Sequence, residues 1–365
     1  MFIRPATVDD IDRLLFIEKH SFESDQISRR SFRSMMASAT ARIIVVEREE
    51  DDELVGYAVI LFRQKTALAR LYSIAVLKET ARSGAGSMLL QEAERVAFDE
   101  GRVFMRLEVR EDNERAIALY KRFNYRPIGK YLKYYDNRID ALRFEKILRG
   151  DIPVETDVPY YQQTTDFTCG AACLMMALHY FKPEIKMTPV LEIRLWRHAT
   201  TVFMLSGMGG CEPFGLAVEA HRAGLKAEVF VSDDAFLFLS SVRDPEKRRI
   251  MELAQTDFRN EAKRLKIPVN NRAFTINDIR AAIAQGAVVL VLISFYHIFG
   301  QKIPHWVLAH GDDGRHILIH DPWVEEEEGE TIADTANLPL NYEIFDQIAR
   351  YGKKSLRAAV VLEKS

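Results

Sequence analysis

The stretch "TTDFTCGAACLMMALHYF" (residues 164–181) sets Cys169 where a polar turn gives way to a strongly apolar segment. Cys173, Met176, Ala177 and Tyr180 recur at helical spacing, which predicts a single apolar stripe on a helix that opens at Cys169. At a helix start the positive end of the dipole favours a thiolate. A cysteine beside an apolar helix is nevertheless inert packing by default, so a nucleophile needs a basic partner from elsewhere in the chain.

Five of the nine histidines fall between 297 and 320. There "HWVLAHGDDGRHILIHDP" (305–322) presents two apolar runs around a "DDG" loop (312–314), with Gly314 in the left-handed position that such a turn needs. In that register Gly311 opposes Arg315, Ala309 opposes Ile317, Val307 opposes Ile319, and His305 opposes Asp321. A carboxylate orients an imidazole whose other nitrogen takes the thiol proton, and this requirement selects His305 with Asp321. His310 and His320 fall on the opposite strand face and read as packing or surface residues, and His179, on a helix several turns from Cys169, reads as half-buried packing.

With "QTTDFTCGAACLMMAL" (163–178), "GGCEPFGLAVEAHRAGL" (209–225) and "HWVLAHGDD" leading to "ILIHDP" (305–322), residues 159–323 resemble a papain-like cysteine peptidase of the bacteriocin-processing, double-glycine-leader type. The resemblance implies that Gln163, six residues before the cysteine, donates to the oxyanion together with the Cys169 backbone N–H. Gln162 is one residue off that position. Residues 232–275 depart from the pattern and read as inserted or reworked helical structure, and Cys211, beside Gly209 and Gly210, reads as a structural loop residue. The membrane-spanning and ATPase segments of exporter-linked peptidases do not accompany the motifs, so leader removal coupled to export is not implied.

The first half opens with "IRPATVDDIDRLLFIEKHSF" (3–22), where Thr7 and Asp10 form a capping box and predict a helix from about Asp9. "ARIIVVE" (41–47) and "LVGYAVILF" (54–62) read as a hairpin, and "LARLYSIAV" (68–76) as a further strand. In "LKETARSGAGSMLLQEAERVAFDEG" (77–101), Leu89, Ala93, Val96 and Ala97 share a helix face, and Gly101 ends it. A glycine-bearing loop thus enters a helix N-terminus, where unpaired N–H groups favour phosphate and Gly84 and Gly86 allow close approach. The loop lacks the lysine and hydroxyl residue of a nucleotide P-loop and the third glycine of the dinucleotide fingerprint, so neither ATP nor NAD is indicated. "MRLEVREDNERAIALYKRFNYRPIGKYLKYY" (105–135) then gives a strand, Asn113 as N-cap, and a helix with Ala116, Leu119, Tyr120 and Phe123 on one face.

Through "SIAV", "ARSGAGS", "LEVREDNERAIALYKRFNY" and "KYY", residues 1–148 resemble a GCN5-related N-acetyltransferase, and among these the ribosomal-protein alanine N-acetyltransferases. The resemblance implies acetyl-CoA, its pyrophosphate held by Arg82, Ser83, Gly84, Ala85, Gly86 and Ser87, its pantetheine along Ile74, Ala75 and Val76, and a contact from Asn113. It assigns Glu108 to deprotonation of the acceptor amine and Tyr120 to protonation of the departing thiolate. The chemistry agrees, because an amine attacks a thioester only when neutral and a phenol can serve as the acid. One departure is Ala81, where the family's loop begins with Arg or Gln, although Arg82 is adjacent.

A chain of 365 residues, 48% hydrophobic and 28% charged, is long enough for two cores. The acid- and proline-bearing "RGDIPVETDVPYY" (149–161) separates them, giving an acetyltransferase-like domain at 1–148, a linker at 149–158 and a peptidase-like domain at 159–365, α/β (α+β) throughout. The acidic run "EEEEGE" (325–330) reads as a solvated loop. A net charge of −3 gives no reason to expect nucleic acid. No apolar run is long enough for a membrane span, the opening residues lack signal-peptide character, and three cysteines suit a reducing compartment, so a cytoplasmic protein without disulfides is expected. No metal is expected. The combined expectation is a bifunctional protein acting on a peptide or protein, by acetyl transfer in its first half and thiol-dependent amide hydrolysis in its second. The alternatives are a second half that only binds peptide or performs acyl transfer or deamidation, and a first half that is a CoA-binding regulator.

Overall fold

Val, Ile and other strand-forming residues dominate 41–62, and in the computed structural model they form adjacent antiparallel strands, β2 (Ala41–Arg48) and β3 (Glu53–Phe62). The structure describes residues 1–365 apart from 63–65, 81–82, 136–137, 150–156, 202–208, 240–241, 295–303, 327–330 and 353. The chain divides into two compact units, Met1–Asp151 and Ile152–Glu325 with Glu330–Ser365.

In the first unit, β1 (Phe2–Pro5), β4 (Leu68–Val76), β5 (Phe104–Arg110), β6 (Arg126–Tyr131) and β7 (Ala141–Ile147) complete a sheet ordered β1-β2-β3-β4-β5-β7-β6. Side-chain alternation divides its two faces. Ile43, Val45, Tyr57 and Val59 bury against Leu14 and Ile17 of α1 (Ile11–Ser21) and Phe32 of α2 (Arg29–Met36). Ile44, Val46, Ala58 and Ile60 bury against Leu89, Leu90 and Ala93 of α3 (Ala85–Asp99). The Thr7–Asp10 box is present, but a 3-10 turn occupies Val8–Asp10 and the α-helix starts at Ile11. β4 and β5 run parallel, and their ladder ends at Leu71 with Leu107 although the strands continue to Val76 and Arg110. At that parting point the ladder stops, so Ile74–Val76 and Glu108–Arg110 are not bonded to each other in the sheet.

The second unit carries α5 (Cys169–Phe181), α6 (Pro189–Ala199), α7 (Pro213–Arg222), α8 (Pro245–Arg264) and α9 (Ile276–Ala284). Its sheet comprises β8 (Leu225–Val231), β9 (Val269–Asn270), β10 (Val288–Ser294), β11 (Pro304–Asp312), β12 (His316–His320), β13 (Leu338–Asn341) and β14 (Ala358–Lys364), ordered β13-β12-β11-β10-β14-β8-β9. The single apolar stripe expected for α5 is not what forms. Every residue from Cys169 to Leu178 is buried, because α6, α7, β10 and β11 all pack on the helix. Among the described residues no helix is long and apolar enough to cross a membrane.

The β11–β12 hairpin also differs from the expected register. Asp313–Arg315 form the loop, with Gly314 at φ +89°, and the ladder pairs Leu308 with His320, Ala309 with Ile319, Gly311 with Leu318 and Asp312 with Ile317. The turn shifts it: the Asp313 carboxylate accepts from the Arg315 and His316 amides, closing the turn later in the chain, and a bulge at His310 takes back only one residue of that shift. His305 and Asp321 are therefore not opposed in the ladder. His310 and His320 are buried, with ring centroids 4.1 Å apart, and His320 bonds the Val158 carbonyl through Nε2 and the Asn337 N–H through Nδ1.

Burial, with His320 alongside, pushes His310 down to about 2, so the folded state keeps it neutral while the unfolded chain protonates it at the ordinary value near 6.5. Its contribution is fully present above about pH 6.5 and declines as pH falls, by up to about 1.4 kcal/mol per pH unit. Denaturant unfolding at pH 7 and pH 5 is expected to show a smaller stability loss in His310→Leu than in the parent; equal losses would contradict this.

Candidate active sites

Thr168 precedes α5 as its N-cap, which puts Cys169 in the first turn, 4% exposed. His305 enters from β11, and Asp321 directly follows β12. Although they are not ladder partners, His305 Nε2 lies 2.7 Å from Asp321 Oδ1 and both residues are 5% exposed. That carboxylate is itself held: Oδ1 also accepts from the Trp323 N–H at 2.9 Å, and the Tyr160 hydroxyl donates to the Asp321 carbonyl at 2.8 Å. Burial alone would lower His305, but the charges of Asp321 and Cys169 and hydrogen bonds to both outweigh it, and His305 is raised well above the histidine range. With Nε2 on Asp321, Nδ1 is the ring nitrogen left for the sulfur. Cys169, His305 and Asp321 thus meet at one place.

The other two thiols behave differently. Burial, and then the neighbouring thiols, push Cys173 and Cys211 well above their ordinary value. Cys173 Sγ lies 3.4 Å from the Trp306 carbonyl, and the Cys211 carbonyl accepts from Trp306 Nε1 at 3.1 Å, so both brace α5 and its surroundings against β11.

Gln163 is buried, its Nε2 donates to the Thr165 carbonyl at 2.7 Å, and its backbone N–H donates to the Pro322 carbonyl at 2.9 Å. One N–H of the amide is spent on Thr165, and the second remains to donate. The sequence reading missed Glu192. This fully buried α6 residue accepts from Thr164 N at 2.9 Å, Thr164 Oγ1 at 2.7 Å, Tyr161 Oη at 3.0 Å and Thr168 Oγ1. In "LEIRLW" (191–196) nothing marks it, because a glutamate in the first turn of a helix is ordinarily a solvated, dipole-favoured residue.

In the first unit, Gly84 adopts φ +92° as N-cap of α3, and a Cβ there would meet nothing within 4 Å. Arg82 and Ala81 lie outside the described residues. Ser83 Oγ accepts from Ala85 N at 3.4 Å, and Ser87 Oγ accepts from Arg122 at 2.7 Å. Ile74, Ala75 and Val76 lie on β4 past the end of its ladder with β5. Asn113 caps α4 (Glu114–Arg122), its Oδ1 accepting from Ala116 N at 3.1 Å, which leaves its Nδ2 toward solvent. These features suit an extended ligand ending in a pyrophosphate. Glu108 sits on β5 beyond the parting point, with Oε2 2.8 Å from Arg70 Nε, and Arg70 also donates to the Tyr134 hydroxyl at 2.7 Å. Tyr120 is buried against Tyr125 and Phe144; burial, and then Tyr135, raise it far above the ordinary phenol value, so it stays protonated.

Removing the Asp321 carboxylate takes away the largest influence that raises His305. Asp321→Ala is expected to slow carbamidomethylation of Cys169 by iodoacetamide at pH 7 by about tenfold or more, read by mass spectrometry. An unchanged rate would show that the pair does not activate the thiol.

Residues 158–363 match the Peptidase_C39 like family, and residues 8–125 match the acetyltransferase (GNAT) family. The chain is 30% identical over 141 residues to a Bacillus subtilis protein named "putative ribosomal protein bS18-alanine N-acetyltransferase", which covers 38% of this chain and 91% of that protein. It is 32% identical over 152 residues to an N-alpha-acetyltransferase of Sulfolobus acidocaldarius, covering 38% of this chain and 88% of the relative. Among solved structures, the ribosomal-protein-alanine N-acetyltransferase of Brucella melitensis aligns at 22% identity over 40% of this chain and all of its own, with a TM-score of 0.37.

Proposed function

Because the chain belongs to the Peptidase_C39 like family through its second unit and to the GNAT acetyltransferases through its first, we propose a cytoplasmic bifunctional enzyme that acetylates the α-amine of a peptide or protein and cleaves an amide bond with Cys169. In this reading residues 1–148 and 159–365 act as the two domains. The convergence of Cys169, His305 and Asp321 supports the second activity; the β4–β5 ladder that stops before both strands end, with a glycine-led start to α3, supports the first.

In the second domain His305 takes the Cys169 proton through Nδ1 while Asp321 holds Nε2. The sulfur adds to the substrate carbonyl, and the oxyanion faces the Cys169 N–H and the second N–H of Gln163. Collapse breaks the C–N bond as His305 returns the proton to the leaving amine. Water, deprotonated by His305, then cleaves the thioester to free the acid and the thiol. In the first domain, Ile74 to Val76, Arg82, Ser83 to Ser87 and Asn113 are the residues that would hold acetyl-CoA. Bound there, it supplies an activated acyl group. Arg70 occupies Glu108 Oε2, so removal of the acceptor's proton falls to the other oxygen, and Tyr120 protonates the departing sulfur.

The protein incubated with isotopically labelled acetyl-CoA and a lysate-derived peptide mixture is expected to yield peptides with new labelled N-termini and peptides with new termini, the latter lost in Cys169→Ala. Tyr120→Phe is expected to lower acetyl transfer by about 100-fold while leaving acetyl-CoA binding by calorimetry intact. Binding without transfer in the parent would reduce the first domain to a CoA sensor.

A further inference from the structure

Glu192 is a fully buried carboxyl group, and its four described partners are all donors from one eight-residue stretch, Tyr161 to Thr168. Burying such a group is costly unless each oxygen is satisfied, and here each oxygen accepts two bonds. The stretch they hold contains Gln163 and ends at the N-cap of the helix that starts with Cys169. Inside it, the Thr165 carbonyl accepts from Gln163 Nε2 at 2.7 Å, and with the one Thr168 hydroxyl proton on Glu192, Thr165 Oγ1 donates to Thr168 Oγ1 at 3.0 Å. The chain of contacts therefore runs from Glu192 through Thr164 and Thr168 to Thr165, and from Thr165 to the Gln163 amide. None of these side-chain contacts reaches His305 or Asp321; the stretch meets that side through its backbone, where the Gln163 N–H donates to the Pro322 carbonyl at 2.9 Å.

We infer that Glu192 is a positioning residue for the oxyanion side of the thiol site, fixing where the Gln163 amide stands relative to the Cys169 N–H. The inference rests on the reading of Cys169 as a nucleophile given above. It separates the site into two parts with different supports. His305 and Asp321, on the β11–β12 side, generate the thiolate, whereas Glu192 and the Tyr161–Thr168 stretch set the donors that meet the developing oxyanion. Alkylation of a thiolate needs only the first part. Acyl transfer from an ester needs both.

The test compares two reactions of the full-length chain. One is Cys169-dependent release of p-nitrophenol from p-nitrophenyl acetate, with Cys169→Ala as the blank; the other is carbamidomethylation of Cys169 by iodoacetamide across pH 5 to 9. Glu192→Ala is expected to lower ester acylation by about 100-fold, the scale of losing one oxyanion donor. The alkylation rate and its pH profile should stay within about twofold of the parent. Glu192→Gln is expected to recover most of the ester rate, because the Thr164 and Tyr161 hydroxyls can reverse to accept from the new NH₂ while the other oxygen keeps its donors. Equal ester rates in the parent and Glu192→Ala overturn the inference, as does a parallel fall in ester and alkylation rates in a folded Glu192→Ala protein. If Glu192→Ala does not fold, Thr164→Val, which removes one donor to Glu192, decides: a tenfold or larger selective loss of ester rate supports the inference and a parent-like rate overturns it. A parent with no release above the Cys169→Ala blank fails differently, since it overturns the thiol-enzyme reading itself and this inference with it.

Discussion

An imidazole buried between a carboxylate and a thiol is the contact on which the second unit depends. Three polar groups at this depth are tolerated only if each satisfies another. The 2.7 Å bond between His305 and Asp321, the second bond to Asp321 from Trp323, and the seat of Cys169 at a helix start meet that condition together. The elements come close because one residue is small. A Cβ on Gly170 would stand 2.9 Å from Cys211 Cβ and 3.1 Å from Trp306 Cδ1, so only glycine lets the first turn of α5 lie against the strand that carries His305.

The first unit solves a different problem with a similar economy. A parallel strand pair that stops bonding at Leu71 and Leu107 frees strand edge, and the helix after the loop starts from Gly84 in the left-handed conformation. Gly56 shows how tightly the rest is closed, since a Cβ there would come 2.7 Å from the Ala75 carbonyl and 3.1 Å from Leu89. The sheet is closely packed where α3 lies on it and loses its ladder where β4 leaves β5.

Much of this was legible from local pattern. The 41–62 hairpin, the Thr7 box, the Asn113 cap and the helix start at Cys169 all follow from rules that operate within a few residues. The pairing of His305 with Asp321 was also expected, but for an incomplete reason. The expected ladder register required direct opposition, whereas the aspartate-closed turn shifts the strands, the bulge at His310 takes back only part of that shift, and Asp321 reaches the ring from beyond the strand end. Bulges and turn closure by side chains depend on tertiary fit, which a period-two reading does not contain. The stripe on α5 misled for a related reason: a helix surrounded on all sides keeps only a weak periodicity. Glu192 was invisible because its partners are backbone and hydroxyl groups more than 20 residues away in sequence. The ion pair of Glu108 with Arg70 was hidden likewise, joining neighbouring strands across 38 residues.

The most direct test of the central contact is the protonation of one ring. Nitrogen-15 spectra of the histidine side chains, with His305 assigned by substitution, should show a doubly protonated imidazole persisting well above the ordinary histidine range in the parent and titrating lower in Cys169→Ala. A His305 ring that titrates near 6.5 and ignores the loss of the thiol would contradict the account.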